Sequence, residues 1–425
     1  MNAAVSATDS PWPKLKLKYA ATLVGARADS RPEGSPYVGL ENIQTKTGKL
    51  LGAQGLVADE FADGTSTVNL FEAGDVLFGK LRPYLAKAWV CTFAGACTTE
   101  ALVLRPNAHI RSDYLCRVIL SPDFIREVDT TTFGSKMPRA DWADIGNIEI
   151  PVPTLAVQSI TEQRVHAQAS QIEALIASKQ RMLDLLTEKR RALIASAVTQ
   201  GLNPNVPMRD SGIDWLGRIP AHWQTENTRW LFKEIDDRSE DGSEELLTVS
   251  HLTGVTKRSE KDVNMFLAES NEGYKRCRAG DLVINTLWAW MGAMGIARHD
   301  GIVSPAYNVY RPIQAFDPDY LDHLVRIPLF VAEITRYSKG VWSSRMRLYP
   351  EGLYEASLPV PPLAEQAQIS DAIADQVQQM DALSLATKNT IVLLEERRIA
   401  LIAAAVSAHA AGSNHLLEVS APHAP

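Results

Sequence analysis

The hydrophobic pattern of this chain changes period along its length. Between residues 67 and 105 the apolar residues fall in short runs rich in β-branched and aromatic side chains, TVNLF, DVLFG, AWVCTF and ALVLR, and such runs predict strands. AGD at residues 73–75, and again at 279–281, reads as a turn feeding a strand. SDYLCRVILSPDFIREV from residue 112 and PDYLDHLVRIPLFVAEI from residue 318 have helical spacing, with Ser or Asp near the start. Beyond Pro151 and Pro153 the pattern becomes heptad-like, and residues 156–200 contain neither proline nor glycine. This predicts one long helix. Its seam is Ile172, Leu175, Met182, Leu186 and Leu193, widened by Ile176, Leu183 and Ile194. Met380, Leu383, Ile391, Leu394, Leu401 and Ile402 repeat that seam near the C-terminus. A helix of about 40 residues spans about 60 Å, too long to bury its stripe against one domain of roughly 150 residues, so it needs another helix. The simplest partner is its own duplicate in the same chain.

The duplication itself is plain. IPVPTLAVQ at residue 150 recurs as LPVPPLAEQ at 358, and LLTEKRRALIASAV recurs as LLEERRIALIAAAV, both at an offset of 208. Aligning Ile150 through Val198 with Leu358 through Val406 without a gap gives 20 identities in 49 pairs, far beyond chance for mixed composition. Upstream the repeat is fainter. FEAGDVLFGKLRPYL pairs with CRAGDLVINTLWAWM at an offset of 206, which matches Gly74 to Gly280, Asp75 to Asp281, Arg105 to Arg311 and Gly134 to Gly340. The expected fold class is mixed α/β (α+β): two recognition-type domains separated by two long helices that form an antiparallel coiled coil, with an internal pseudo-twofold repeat. The expected boundaries are 1–149 and 203–357 for the domains, with 203–223 as a connector carrying two tryptophans. The helical spacers are expected at 150–202 and 358–407, and 408–425 as a flexible tail.

Composition narrows the classes. At 425 residues with 45% hydrophobic and 22% charged content, the chain reads as a folded protein of two or three domains. The opening segment lacks a basic region followed by an apolar one, and no run reaches the length of a membrane span. A cytoplasmic protein with no membrane association is therefore expected. Cys91, Cys97, Cys116 and Cys277 form no CxxC pair and read as reduced, mostly buried thiols. The net charge of −7 argues against a stand-alone nucleic-acid binder. Residues 1–149 carry 16 basic and 17 acidic side chains and residues 150–202 carry 6 and 4, so no segment offers a strongly basic face. Tight DNA affinity would need partner subunits.

Catalytic signatures are missing. The one Asn-Pro, Asn203-Pro204, is not followed by Pro and an aromatic as adenine methyltransferases require, and no GxxxxGK[ST] loop occurs. The Pro122-Asp123 step lacks an ExK, and the nine histidines form no HExxH. The reading is a non-catalytic chain with no cofactor and no metal.

SGIDWLGRIPAHW, GDLVINTLWAWMGAMG, GIVSPAYNVYRP and the twice-written PVPPLAEQ-type start of a long helix resemble the specificity subunits of type I restriction-modification enzymes, over the chain from Trp12 to about Val406. The order of parts agrees with that family. One departure is Val157, which stands where the second copy has Glu365 of its LAEQ. The resemblance implies a subunit that reads a bipartite, asymmetric double-stranded DNA target and binds two methyltransferase subunits and, through them, two motor-nuclease subunits. Partners would then supply the chemistry and the missing basic surface. A scaffold built on the helical pair, without DNA readout, is the alternative.

Two segments per domain carry side chains suited to reading or gripping DNA. In the first, Lys80, Arg82 and Tyr84 are expected to alternate along a strand and share one face; their counterparts are Asn285, Trp288 and Trp290, although tryptophans in such places are more often core or rim residues. The second is a polar loop before each long helix, with Ser135, Lys136 and Arg139 in one copy and Ser343, Ser344, Arg345 and Arg347 in the other.

Overall fold

The computed structural model describes residues 12–52, 67–261, 270–340 and 346–407. It divides into two units, residues 1–180 with 388–425, and residues 181–387.

Unit 1 is built on a four-stranded antiparallel sheet. Val76–Gly79 lies between Ala101–Pro106 and Ala88–Val90, and Ala21–Leu23 adds to the far side of Ala101–Pro106. Alternation explains why the strand VLFG is apolar throughout. Val76 and Phe78 enter one core with Leu102, Leu104 and the helix residues Tyr114, Leu115 and Ile119, while Leu77 enters a second core with Val103, Trp89 and Phe71. Both faces of the sheet are covered, so neither parity can be polar. A second sheet, which includes Val68–Phe71 and Gly95–Cys97, closes the other side.

Unit 2 repeats this sheet strand for strand: Leu282–Asn285 lies between Tyr307–Pro312 and Met294–Ile296, with Phe232–Ile235 on the outside. Leu282 and Ile284 face one core and Val283 the other. The retained AGD turns have the same job in each copy. Asp75, almost fully buried, accepts from the Glu72 backbone N–H at 2.8 Å and takes a bidentate bond from Arg105 at 2.7 and 2.9 Å. Asp281 accepts from the Arg278 N–H at 2.8 Å and from Arg311 at 2.9 and 2.8 Å. These pairs tie the turn before the central strand to the strand beside it.

Each expected helical stretch after the sheet is two helices. Ser112–Leu120 and Pro122–Thr130 are separated at Ser121, and Pro318–Arg326 and Pro328–Tyr337 at Ile327. Pro122 and Pro328 cannot donate to the preceding turn, and they force the residue before them out of the helical region. Trp215 and Trp223 of the connector are structural: Trp223 is fully buried, and Trp215 packs edge-on against Phe330 at 5.5 Å. All four cysteines are free and buried.

The long helices run Leu155–Gln200 and Leu363–Ser407. In unit 2 the end of the first helix, Ala197 and Val198, shares a core with the start of the second, Ile369 and Ile373, while the earlier Arg190 pairs with the later Asp381 at 2.7 Å. The two segments are therefore antiparallel. In unit 1, Glu173 of the first helix lies between Lys49 and Arg398 of the second. The least exposed positions along the first helix recur in a heptad pattern, 158, 162, 165, 169, 172, 176, 179, 183, 186, 190, 193 and 197. Ile172, Leu183, Leu186 and Leu193 lie on that line, and Met380, Ile391, Leu394 and Leu401 on its duplicate. Leu175 and Leu383 are corrections: they are 51% and 42% exposed. At 100° per residue, position 175 is 60° from 172 and 100° from 176, outside the buried stripe.

Gln158 and Gln366 dock each helix onto its domain. Gln158 accepts from the Arg111 N–H at 2.9 Å and donates to the carbonyls of His109 at 2.9 Å and Pro153 at 2.8 Å. Gln366 accepts from the Asp317 N–H and donates to the Pro361 carbonyl, both at 2.9 Å.

Candidate nucleic-acid interface

In unit 1 the two candidate segments lie side by side. The strand Val76–Gly79 ends, and Lys80 donates its N–H to the Glu100 carbonyl at 2.9 Å while its own carbonyl accepts from Ala140 at 3.1 Å. Arg82 N–H donates to the Pro138 carbonyl at 2.7 Å. Phe133 and Arg139 exchange both backbone bonds, at 2.9 and 3.0 Å, which closes a hairpin whose tip holds Ser135 and Lys136. Gly134, at φ +90°, supplies the backbone that this tight tip requires.

The expectation that Lys80, Arg82 and Tyr84 alternate along a strand is corrected. Arg82 is left-handed (φ 50°, ψ 59°), and Pro83–Leu85 forms a 3₁₀ turn. Proline, with its φ fixed and no N–H, starts a turn and cannot extend the ladder. Among the described residues the only non-glycine residues with positive φ are Lys46, Arg82 and Ala86. All three sit together: Lys46 N–H donates to the Ala86 carbonyl at 2.9 Å, and Leu85 N–H to the Arg82 carbonyl at 2.9 Å. Strained backbone concentrated in one place is a mark of a functional loop. Lys46 also lines, with Tyr84, a cavity of ≈ 290 Å³. It escaped the sequence reading because TKTG in residues 45–48 reads only as a turn.

Arg82, Ser135 and Lys136 are exposed, as is Tyr84, while Lys80 is half-buried. Arg139 is engaged: its guanidinium bonds both oxygens of Glu100 at 3.1 Å, and that pairing raises its pKa further. It braces the hairpin.

In unit 2 the same scaffold carries other side chains. Leu348 N–H donates to the Thr286 carbonyl at 3.1 Å, and Lys339 and Arg347 exchange backbone bonds at 2.9 Å, so the counterpart segments are again adjacent. The expected strand also ends early, at Asn285, and Ala289–Met291 is a 3₁₀ turn. Asn285 is buried and its side chain accepts from the Leu287 N–H at 3.2 Å. Trp290 is half-buried and donates to the Leu287 carbonyl at 3.1 Å, whereas Trp288 and Arg347 are exposed. Ser343, Ser344 and Arg345 lie outside the described residues. Gly292, at φ +88°, takes the place of Ala86.

Among the described residues no group of three or more His, Cys, Asp or Glu side chains could hold a metal, and no helix is long and apolar enough to cross a membrane.

No protein-family model matches the chain. It is similar to the EcoDI type I restriction enzyme specificity subunit of Escherichia coli, 26% identical over 189 residues, which is 44% of this chain and 37% of that protein. It also resembles the EcoBI specificity subunit of Escherichia coli, at 22% identity over 67% of this chain and 63% of the relative. The matches thus span between about a third and two thirds of these relatives. Among solved structures, the HsdS subunit from Thermoanaerobacter tengcongensis shares the fold, with a TM-score of 0.54 at 19% identity over 93% of this chain and 97% of that one. A structure described for complex assembly and conformational transition of the type I R-M system gives 0.57 at 18% identity, with the same coverage. The chain is thus similar in sequence to type I restriction enzyme specificity subunits and shares the fold of the solved HsdS structure.

Proposed function

We propose that this chain reads a split, asymmetric double-stranded DNA target, one part with the domain of residues 1–149 and the other with that of residues 203–357. The helical spacers 150–202 and 358–407 hold two methyltransferase subunits, which in turn bring two motor-nuclease subunits. The chain itself supplies no chemistry.

The observation that supports this reading most is that one scaffold, repeated in its strand order and in the contact between its two candidate segments, carries different side chains at its adjoining loops. Arg82 in one copy is Trp288 in the other, and Tyr84 is Trp290. Two similar frames with unlike reading edges are what an asymmetric bipartite site requires. The net charge of −7 is consistent with partners that neutralise most of the phosphates.

The test is reconstitution. The chain, mixed with its candidate methyltransferase subunit, should transfer methyl groups to a defined adenine in an asymmetric site, and neither component should do so alone. Methylation of the same site by the methyltransferase without this chain contradicts the reading.

A further inference from the structure

Of the exposed aromatic rings among the described residues, the two most exposed, Trp230 at 68% and Tyr19 at 61%, occupy the same place in the two units. In unit 1, Tyr19 lies in the single turn Leu17–Ala20. That turn is fixed by Leu17 N–H donating to the Ile148 carbonyl at 2.9 Å and Asn107 N–H donating to the Ala20 carbonyl at 2.9 Å. In unit 2, Trp230 lies in Thr228–Leu231, fixed by Thr228 N–H to the Ala356 carbonyl at 3.0 Å and Ile313 N–H to the Leu231 carbonyl at 2.8 Å. A basic residue precedes each ring and is held by the same neighbour position: Lys18 bonds Asn147 at 2.8 Å, and Arg229 faces Glu355 at 3.8 Å.

The other exposed aromatics behave differently. Tyr84, Phe133, Trp288 and Tyr349 lie in or beside the candidate DNA loops. Their counterparts are the half-buried Trp290, Lys339, Arg82 and Asp141, so none has an exposed aromatic partner in the duplicate. Surfaces that read two different half-targets have to differ. A surface that meets two copies of one protein has to stay alike.

We propose that Tyr19 and Trp230 anchor two equivalent docking surfaces on the globular domains, each holding one copy of the methyltransferase subunit. This rests on the function proposed above and adds to it a contact away from the long helices. A large exposed ring flanked by a tethered cation has the composition of an interface hot spot, and here an exposed aromatic ring recurs at the same place in both copies. Ile313, whose N–H holds the Trp230 turn, is itself 63% exposed.

The test titrates full-length chain with methyltransferase subunit, reading stoichiometry by sedimentation and affinity by calorimetry. Wild type should take two copies. Trp230→Ala should weaken one site about thirtyfold and leave the other, Tyr19→Ala should do the converse, and the double variant should weaken both. Leu252→Ala, which removes an exposed side chain remote from either turn in sequence, should keep both sites. Hydrogen exchange on the wild-type chain gives a readout free of substitutions: amides of residues 17–20 and 228–231 should become protected when the subunit binds. Two full-affinity sites in the double variant, or unchanged exchange in both turns, overturn this proposal alone. A wild-type chain that takes up no methyltransferase overturns it together with the proposed function.

Discussion

Arg190 donates to Asp381 at 2.7 Å, and each has a counterpart 208 residues away in a second pair: Arg398 faces Glu173 at 3.7 Å. The duplication has thus preserved an ion pair across the helices in both units. Their surroundings differ. The Arg190 and Asp381 side chains are 43% and 59% exposed, whereas only 15% of the Arg398 side chain is exposed and Glu173 is also bonded by Lys49. Exposed pairs contribute little, and breaking a buried one leaves a desolvated charge. Arg398→Ala should therefore destabilise the protein by about 1–3 kcal/mol and Arg190→Ala by less than about 1 kcal/mol. Thermal unfolding that ranks them equally would contradict this view of the seam.

Gln158 and Gln366 give a second expectation. Gln158 satisfies two carbonyls and one N–H in a place closed to water, and Gln366 does nearly the same. Removing either amide leaves buried backbone groups unpaired, at about 1–3 kcal/mol per group before relaxation. Gln158→Ala and Gln366→Ala should each lower the unfolding midpoint by several degrees. An unfolding curve unchanged for either would mean that water replaces the amide.

Much of this layout was legible in the sequence, because duplication and heptad spacing are properties of residue order. The long helices, the AGD turns and the strands around DVLFG follow from period and turn chemistry alone. Leu175 was misplaced because two leucine-bearing lines run along the helix about 60° apart, and only packing decides which is buried. The loop at Arg82 was misread because alternation in K-L-R-P-Y mimics a strand, whereas the left-handed residue and the turn after it are set by Pro83 and by a hydrogen bond to Pro138, far along the chain. The side-chain bond of Arg139 to Glu100 is a tertiary event with no local signal.

Glu162 sets a pH dependence. It is buried beside Arg117, 3.2 Å away, and its Oε1 has no hydrogen-bond partner among the described residues. Burial pushes its carboxyl up to about 7, and Arg117 only partly opposes this. The unfolded chain gives the proton up near the ordinary glutamate range, so between about pH 4.5 and 7 the folded state holds the extra proton. This group's contribution therefore favours folding less as pH rises through that window, and the full penalty, on the order of 3 kcal/mol, is present above it. The second copy has Ser370 here, bonded to Asp317 at 2.6 Å. Glu162→Gln should raise the unfolding temperature at pH 8 and leave it nearly unchanged at pH 4.5. An equal effect at both pH values would point to packing and not to charge.

Arg82 offers a way to separate strain from recognition. A non-glycine residue in the left-handed region is disfavoured by about 1–2 kcal/mol, and glycine is not. Alanine normally stabilises relative to glycine because it narrows the unfolded ensemble, but where the native φ is positive the order reverses. Arg82→Gly should then be more stable than Arg82→Ala by about 1 kcal/mol. Both variants remove the same exposed guanidinium, so in the assembled complex both should lose specific DNA affinity alike, tenfold or more if that group makes a base contact. Stability that rises with Arg82→Gly while affinity falls would identify a loop whose backbone is held out of its preferred conformation to present one side chain. DNA affinity equal to wild type in both variants would remove Arg82 from the reading surface and leave its strain unexplained.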